Sequence, residues 1–284
     1  MAQSFSYDQF DDRQEIFMKI HMFGTGNALS LKYYNTCFMM EEEGFRLMVD
    51  AGGGNQIIKK LNDYGVPAGD VHDVFVTHKH IDHSLGMLWM LRVACQKMEK
   101  DDYEGNFNIY CHSDLADILI AMSDMTLNKK ELKYIGARIF FHRVEDGGEY
   151  EISGRPVKFF DIGSTKSKQF GFLLSTNRGL KITCLGDEPY NKECEKSYLH
   201  NCGVLMHEAF CLHSQADRFK PYEKSHSTVK DACELAESLG IPNLVLYHSE
   251  DNSFPRRKEL YSAEGRQYYS GNLFIPDDDE TLEF

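Results

Sequence analysis

Seven residues, Thr77-His78-Lys79-His80-Ile81-Asp82-His83, restrict this chain more than any other stretch. Just upstream, Val71 to Val76 alternates apolar and polar residues and is rich in valine, which reads as a strand ending at Thr77. Downstream, Leu85 to Lys100 sets Leu88, Leu91, Ala94 and Cys95 on one helical face. Three imidazoles and a carboxylate therefore occupy a loop between a strand and a helix. In an extended segment His78 and His80 point the same way, while Asp82 and His83 on the following turn reach a second point nearby. That spacing suits two adjacent metal ions, and imidazole beside carboxylate favours zinc, iron or manganese. A solvated loop with a stray histidine explains one such residue. It does not explain four within six positions.

His-x-His-x-Asp-His directly after a strand resembles the signature of the metallo-β-lactamase superfamily. The resemblance implies a metal-dependent hydrolase with an α/β, four-layer αββα sandwich. Composition is compatible with it. A chain of 284 residues with 42% hydrophobic and 26% charged side chains can bury a substantial core as a single domain. No apolar run approaches a membrane span, and the acidic, polar N-terminus does not read as a signal sequence. Eight cysteines without paired spacing read as free thiols in a reducing cytoplasm. Residues 1–15 are expected to be a flexible lead-in and 16–284 the hydrolase domain. The net charge of −13 argues against an extended nucleic-acid surface, which needs clustered Lys and Arg.

Along the chain, Phe17 to Phe23 reads as a first strand, and Cys37–Met40 with Phe45–Asp50 as a hairpin. Asp50 ends that hairpin before Ala51-Gly52-Gly53-Gly54. By the resemblance, it orients the metal site through hydrogen bonds. Ile57 to Tyr64 and Leu115 to Leu127 read as helices, and Phe107–Cys111, Arg138–Val144, Gly148–Ile152 and Val157–Ile162 as strands. Phe170–Leu174 and Leu180–Leu185 form a second hairpin that runs into Gly186-Asp187. The segment from Tyr261 to Phe284 is expected to supply a final strand packed on the core.

Three further segments narrow the resemblance to the ribonuclease Z branch: His207-Glu208-Ala209 after an apolar strand, His226-Ser227-Thr228 before a helix, and His248 at a strand end. The matching motifs run from Gly24 to His248. The resemblance implies that Asp187 bridges two divalent cations, zinc foremost with manganese or iron as alternatives. His78, His80, Asp82, His83 and His248 would complete the ligand set. It also assigns His226, positioned by Glu208, to protonate the leaving oxygen of a phosphodiester, and Asp82 to hold the attacking water.

Two departures alter the expected substrate. The family carries a metal-binding His before the Gly-Phe that stands here at Gly171, whereas this chain has Asp161-Ile162-Gly163-Ser164-Thr165-Lys166-Ser167-Lys168-Gln169. Asp161 is the better candidate to replace that ligand, with Ser164 a poorer one, and Lys166 and Lys168 would bring positive charge to a phosphate. The family's long arm for gripping transfer RNA is replaced by a simple turn at Ser175-Thr176-Asn177-Arg178-Gly179. The expected substrate is therefore a small phosphodiester, a cyclic nucleotide or short oligonucleotide. The alternatives are a metal-dependent ester, lactone or thioester hydrolase of the same fold, or a metal-binding sensor without turnover. No membrane partner is expected, and relatives of this kind are often homodimers.

Overall fold

The computed structural model describes residues 17–284, so the expected lead-in at 1–15 lies outside the described residues. The chain first lays down β1 (Lys19–Gly24), β2 (Cys37–Glu42), β3 (Phe45–Val49), β4 (Asp73–Phe75), β5 (Phe107–Cys111) and β6 (Ile139–Arg143) side by side in that order. Helices α1 (Gln56–Tyr64), α2 (Ile81–Glu99), α3 (Ser113–Thr126) and the short α4 (Lys129–Leu132) fill the crossovers between β3 and β6. The chain then builds a second sheet from β7 (Glu149–Ile152), β8 (Arg155–Asp161), β9 (Phe170–Ser175) and β10 (Lys181–Cys184). After α5 (Lys192–Glu195) it adds β11 (Val204–Glu208), and after α6 (Ala216–Phe219) and α7 (Val229–Ser238) it adds β12 (Asn243–Tyr247).

The C-terminal segment departs from expectation. In place of one final strand it forms α8 (Arg257–Gly265), then β13 (Asn272–Phe274) parallel to β12, then β14 (Glu280–Glu283) antiparallel to β1. The last strands therefore complete different sheets, each then seven-stranded. The helix was missed because its apolar stripe is thin: Tyr261 is buried in it, whereas Lys258 and Glu259 are solvent-facing.

Three separate apolar clusters define four layers. Ile57, Leu61, Met87, Leu91 and Leu119 pack under the first sheet. Phe38, Leu47, Phe75, Phe159 and Phe172 fill the space between the sheets, with Phe75 and Phe159 ring centroids 4.5 Å apart. Leu205, Val229, Ala232, Leu246 and Tyr261 join the second sheet to α7 and α8. The αββα sandwich follows because alternate residues of each central strand feed both faces of its sheet. All eight cysteines are free. Among the described residues no helix is long and apolar enough to cross a membrane.

Glu195, at the end of α5, is a buried carboxylate with no cationic partner among the described residues, its oxygen accepting the Asn191 backbone N–H. Burial, with the Glu188 carboxylate nearby, pushes it up to about 8 from an ordinary 4.5. The folded chain thus keeps a proton that the unfolded chain loses above about pH 4.5, so this group costs stability as pH rises towards 8, by about 1.4 kcal/mol per unit at the steepest. Glu195→Gln should match wild type near pH 4.5 and be progressively more stable by pH 8 in denaturant titrations. Parallel stability curves across that range would show that Glu195 ionises freely in the fold.

Candidate metal centre

Strand direction decides which side chains meet. β10, β11 and β12 are neighbours and run parallel, so the segments leaving their C-terminal ends emerge at one edge of the second sheet. Those exits carry Asp187, Glu208 and His248. In the first sheet, β4 runs parallel to both its neighbours and delivers the 78–83 loop to the same place, where Phe170 N–H donates to Thr77 O across the sheets at 3.1 Å. Asp82 and His83 occupy the first turn of α2, where the helix N-terminus favours a carboxylate. Close packing brings that turn in: a Cβ at Gly86 would lie 1.9 Å from Ala51 O, so only glycine fits.

Hydrogen bonds set the tautomers of three imidazoles. The Asp50 carboxylate accepts from Thr77 N–H and from the Thr77 hydroxyl, both at 2.8 Å, and from His83 Nδ1–H at 2.7 Å. Because the Thr77 hydroxyl donates to Asp50, it must accept from His78 Nδ1–H, 2.9 Å away. The Thr36 hydroxyl donates to Gly26 O at 3.1 Å and so accepts from His248 Nδ1–H at 3.1 Å. Nδ1 carries the proton in all three rings, which leaves Nε2 to face the site.

Those Nε2 atoms surround one oxygen. Asp187 Oδ2 lies 3.7 Å from His78 Nε2, 3.6 Å from His83 Nε2 and 3.4 Å from His248 Nε2. His83 Nε2 is also 3.2 Å from Asp82 Oδ2, and His80 Nδ1 is 2.7 Å from His78 Nε2. His78 Nε2 and His80 Nδ1 share a hydrogen bond, whereas the three distances to Asp187 Oδ2 are long for one and are close to the separation of about 3.4 Å expected of two donors sharing a tetrahedral cation with bonds of about 2.0–2.2 Å. His83 Nε2 is buried without a hydrogen-bond partner among the described residues. Two groups could each hold an ion, His78–His80–Asp187 and Asp82–His83–His248. The residues present fit a pair of divalent cations.

The electrostatics match. Burial holds His78 well below the ordinary imidazole range and lowers His248 to about 3, so both are neutral donors. Burial opposes ionisation of Asp187, but His78, His248 and His83 outweigh it and hold the carboxyl well below its usual range. His83 goes the other way. Burial works against its charge, yet Asp82 and Asp50 on either side raise it well above an ordinary histidine.

A cleft of about 830 Å³ opens over the cluster. His80, Asp82, Asp187 and His248 line it together with His226, Phe210, Phe219, Leu29, Ile81, Lys79, Lys166 and Lys224. His226 stacks on Phe210, with ring centroids 4.9 Å apart and planes 10° apart. Its Nδ1 lies 3.3 Å from Oε2 of the fully buried Glu208, whose other oxygen accepts the Ser227 N–H. Burial raises Glu208 to about 7. For His226 burial is outweighed by Glu208, and its affinity for a proton rises.

Not every residue singled out from the sequence reaches this cleft. The Asp161 carboxylate turns back to accept Gly163 N–H at 2.8 Å and belongs to neither ligand group. Ser164 donates to Glu188, the residue after Asp187, and Lys166 Nζ sits 3.9 Å from the same Glu188 oxygen. Lys168 stacks over Phe170, 5.6 Å from the ring centre, and does not line the cleft. Sequence reasoning passed over Thr36, Thr77, Glu188 and Gln169. Thr77 directly precedes His78 and Glu188 directly follows Asp187, so adjacency was the signal available; Gln169 ends the 161–169 segment without a ligand-type side chain, and Thr36 comes from a distant segment.

This arrangement and the four-layer sandwich define a metallo-β-lactamase fold with the motif set of ribonuclease Z. A family model described as "Anti-Pycsar protein Apyc1" matches residues 18–268, and the chain belongs to that family. The chain is similar to ribonuclease Z from Thermococcus onnurineus (21% identical, 94% of this chain and 95% of the relative) and from Pyrobaculum islandicum (26%, 93% and 98%). Among solved structures it is similar to the metallo-β-lactamase fold protein YhfI from Bacillus subtilis, with a TM-score of 0.76 at 17% identity over 94% of this chain and 100% of that one. A diphosphatase from the PhnP family superposes with a TM-score of 0.68 at 15% identity, over 94% and 98% of the two chains. Zn(2+)-bound PqqB from Methylobacterium extorquens gives 0.67 at 13%, over 94% and 100%.

Since His83 holds a proton when no cation is bound, cation uptake must expel it. Zinc titrated into metal-free protein at pH 7 should release about one proton per chain to the buffer, and affinity should rise with pH. Calorimetry in two buffers of different ionisation enthalpy measures this. Identical heats would mean that His83 is already neutral.

Proposed function

We propose that the protein is a phosphodiesterase acting on a small phosphodiester, a cyclic nucleotide or short oligonucleotide, with residues 16–284 as its hydrolase domain. The observation that carries this reading is His226, which lines the same cleft as the ligand groups with the buried Glu208 carboxylate 3.3 Å behind it, a pair in which both proton affinities are raised. An alkoxide leaving group needs a proton as its bond to phosphorus breaks, and a histidine near its own pKa supplies one efficiently. Two divalent cations, zinc foremost with manganese or iron as alternatives, would lower the pKa of water and offset charge on the phosphoryl oxygens.

The chain's own groups do the rest. Asp82 orients the attacking water and takes its proton, which leaves His226 free to act on the opposite side of phosphorus. The Glu208 carboxylate, 3.3 Å from Nδ1, orients the His226 ring through its charge, and Nε2 would be the atom that donates. Lys79, Lys166 and Lys224 bring positive charge to a lining that also holds Asp82, Asp187, Glu250 and Asp251; bound divalent cations would add the remaining charge that favours an anion in this cleft. Leu29, Ile81, Phe210 and Phe219 give it apolar walls suited to a flat base, and its volume falls in the range of about 300–1,000 Å³ usual for small ligands. β9 and β10 are joined by residues 176–180 alone, a tight turn closed by Thr176 N–H to Leu180 O at 2.9 Å. That leaves no arm in the β9–β10 connection with which to hold a folded RNA.

The test compares a cyclic nucleotide, bis-p-nitrophenyl phosphate and p-nitrophenyl acetate, with and without chelator. Chelator-sensitive turnover of the phosphodiesters over the acetate is expected. His226→Ala should lower kcat for the cyclic nucleotide by about 10²–10⁴-fold and much less for the p-nitrophenyl diester, whose leaving group needs no proton. Preferential acetate hydrolysis, or equal losses on both diesters, would refute the assignment.

A further inference from the structure

The two carboxylate oxygens of Asp187 have different surroundings. Oδ2 faces the three imidazole nitrogens of His78, His83 and His248. Oδ1 is held by the side-chain amide of Gln169, whose Nε2 donates to it at 2.5 Å. An ionised carboxylate has no proton to give, so the amide must present its N–H to Asp187. Gln169 is the residue immediately before β9 and only 1% exposed, so this donor is fixed by packing.

The backbone around the pair is shaped to admit it. Gly186 stands at φ +78°, and a Cβ there would lie 2.6 Å from Gln169 Nε2, so a side chain would be both strained and in the way. Behind it the Tyr247 hydroxyl donates to Gly186 O, tying the turn to β12 one residue before His248. The 161–169 segment thus brings no imidazole to the cleft, but it brings an amide to the far side of the shared carboxylate.

We propose that Gln169 is a positioning residue that keeps Asp187 a one-oxygen bridge between the two cation sites. This rests on the two-cation reading above. A carboxylate with both oxygens free can rotate and chelate one ion, abandoning the other; with Oδ1 engaged, only Oδ2 is presented, and both groups must share it. The first group then keeps three protein donors, His78, His80 and Asp187, and retains a place for a substrate oxygen. The second has Asp187 beside Asp82, His83 and His248, and is the more enclosed.

The test reads metal rather than turnover. Wild type, Gln169→Met and Gln169→Asn are equilibrated with buffered zinc, and zinc per chain is measured; the manganese-loaded proteins are examined by electron paramagnetic resonance for coupling between ions. Met keeps the length without the donor, and Asn keeps the donor but is one carbon too short. If the Met variant fails to give a native unfolding transition, the Asn variant carries the comparison. Wild type should bind two ions that couple; both variants should hold one ion as before and the second about 10–100-fold more weakly, with coupling lost. Two tightly held, coupled ions in a folded variant would overturn the role of Gln169 alone. A single ion in wild type would overturn the two-cation reading and this proposal with it.

Discussion

The site depends first on one buried carboxylate that touches no substrate. Asp50 accepts from the Thr77 amide, the Thr77 hydroxyl and His83 Nδ1 at once. Through that hydroxyl it also dictates which nitrogen of His78 carries the proton. Buried hydrogen bonds to a charged acceptor are worth roughly 1.5–3 kcal/mol each, and their directions are strict. The ring nitrogens not used in these bonds, His78 Nε2 and His83 Nε2, face Asp187 from opposite halves of the motif. Asp50 is at φ +56° and His248 at φ +59°, left-handed conformations that cost non-glycine residues energy and that surrounding contacts hold in place.

The sandwich explains why segments so far apart in the chain can be held so closely. Packing between the sheets relies on large rings, Phe38, Phe75, Phe159 and Phe172, that are almost wholly buried. The two sheets cannot slide without breaking that contact, so the exits of β4 and of β10 to β12 stay in register. A buried arginine braces the same edge. Arg257 donates to the Thr25 and Ser249 hydroxyls and to Pro276 O, and lies 3.8 Å from the Tyr33 ring centre. It links the cleft-lining 25–35 loop, the residue after His248 and the last crossover of the chain.

Charge is distributed unevenly, and to a purpose. The chain is strongly acidic overall, yet the cleft combines neutral imidazoles, carboxylates that hold their charge and three lysines. Its carboxylates suit small cations, and the three lysines offset part of the negative charge of a lining that also includes Glu250 and Asp251.

How much of this was legible in the sequence follows from how local each feature is. The His78–His83 motif sits in six consecutive residues, so spacing alone announced a metal loop; most strands and helices showed their periodicity within one short window. Asp187, His226, Glu208 and His248 were readable only by resemblance, because nothing local separates a Gly-Asp turn from a shared ligand. The role of Gln169 was beyond reach: a glutamine before a strand carries no local signal, and its meaning arises only when β9 lies beside β10 and Gly186 leaves room for its amide. The C-terminal segment was misread for a related reason, since α8 shows a weak stripe and β13 and β14 are short strands whose partners lie in different sheets. By itself the sequence determined the fold class, the metal loop and the likeness to ribonuclease Z, all of which rest on local pattern. The tertiary structure alone decided which oxygen of Asp187 faces the imidazoles, which nitrogen each histidine presents and which lysines reach the cleft, because those depend on contacts between residues far apart in the chain.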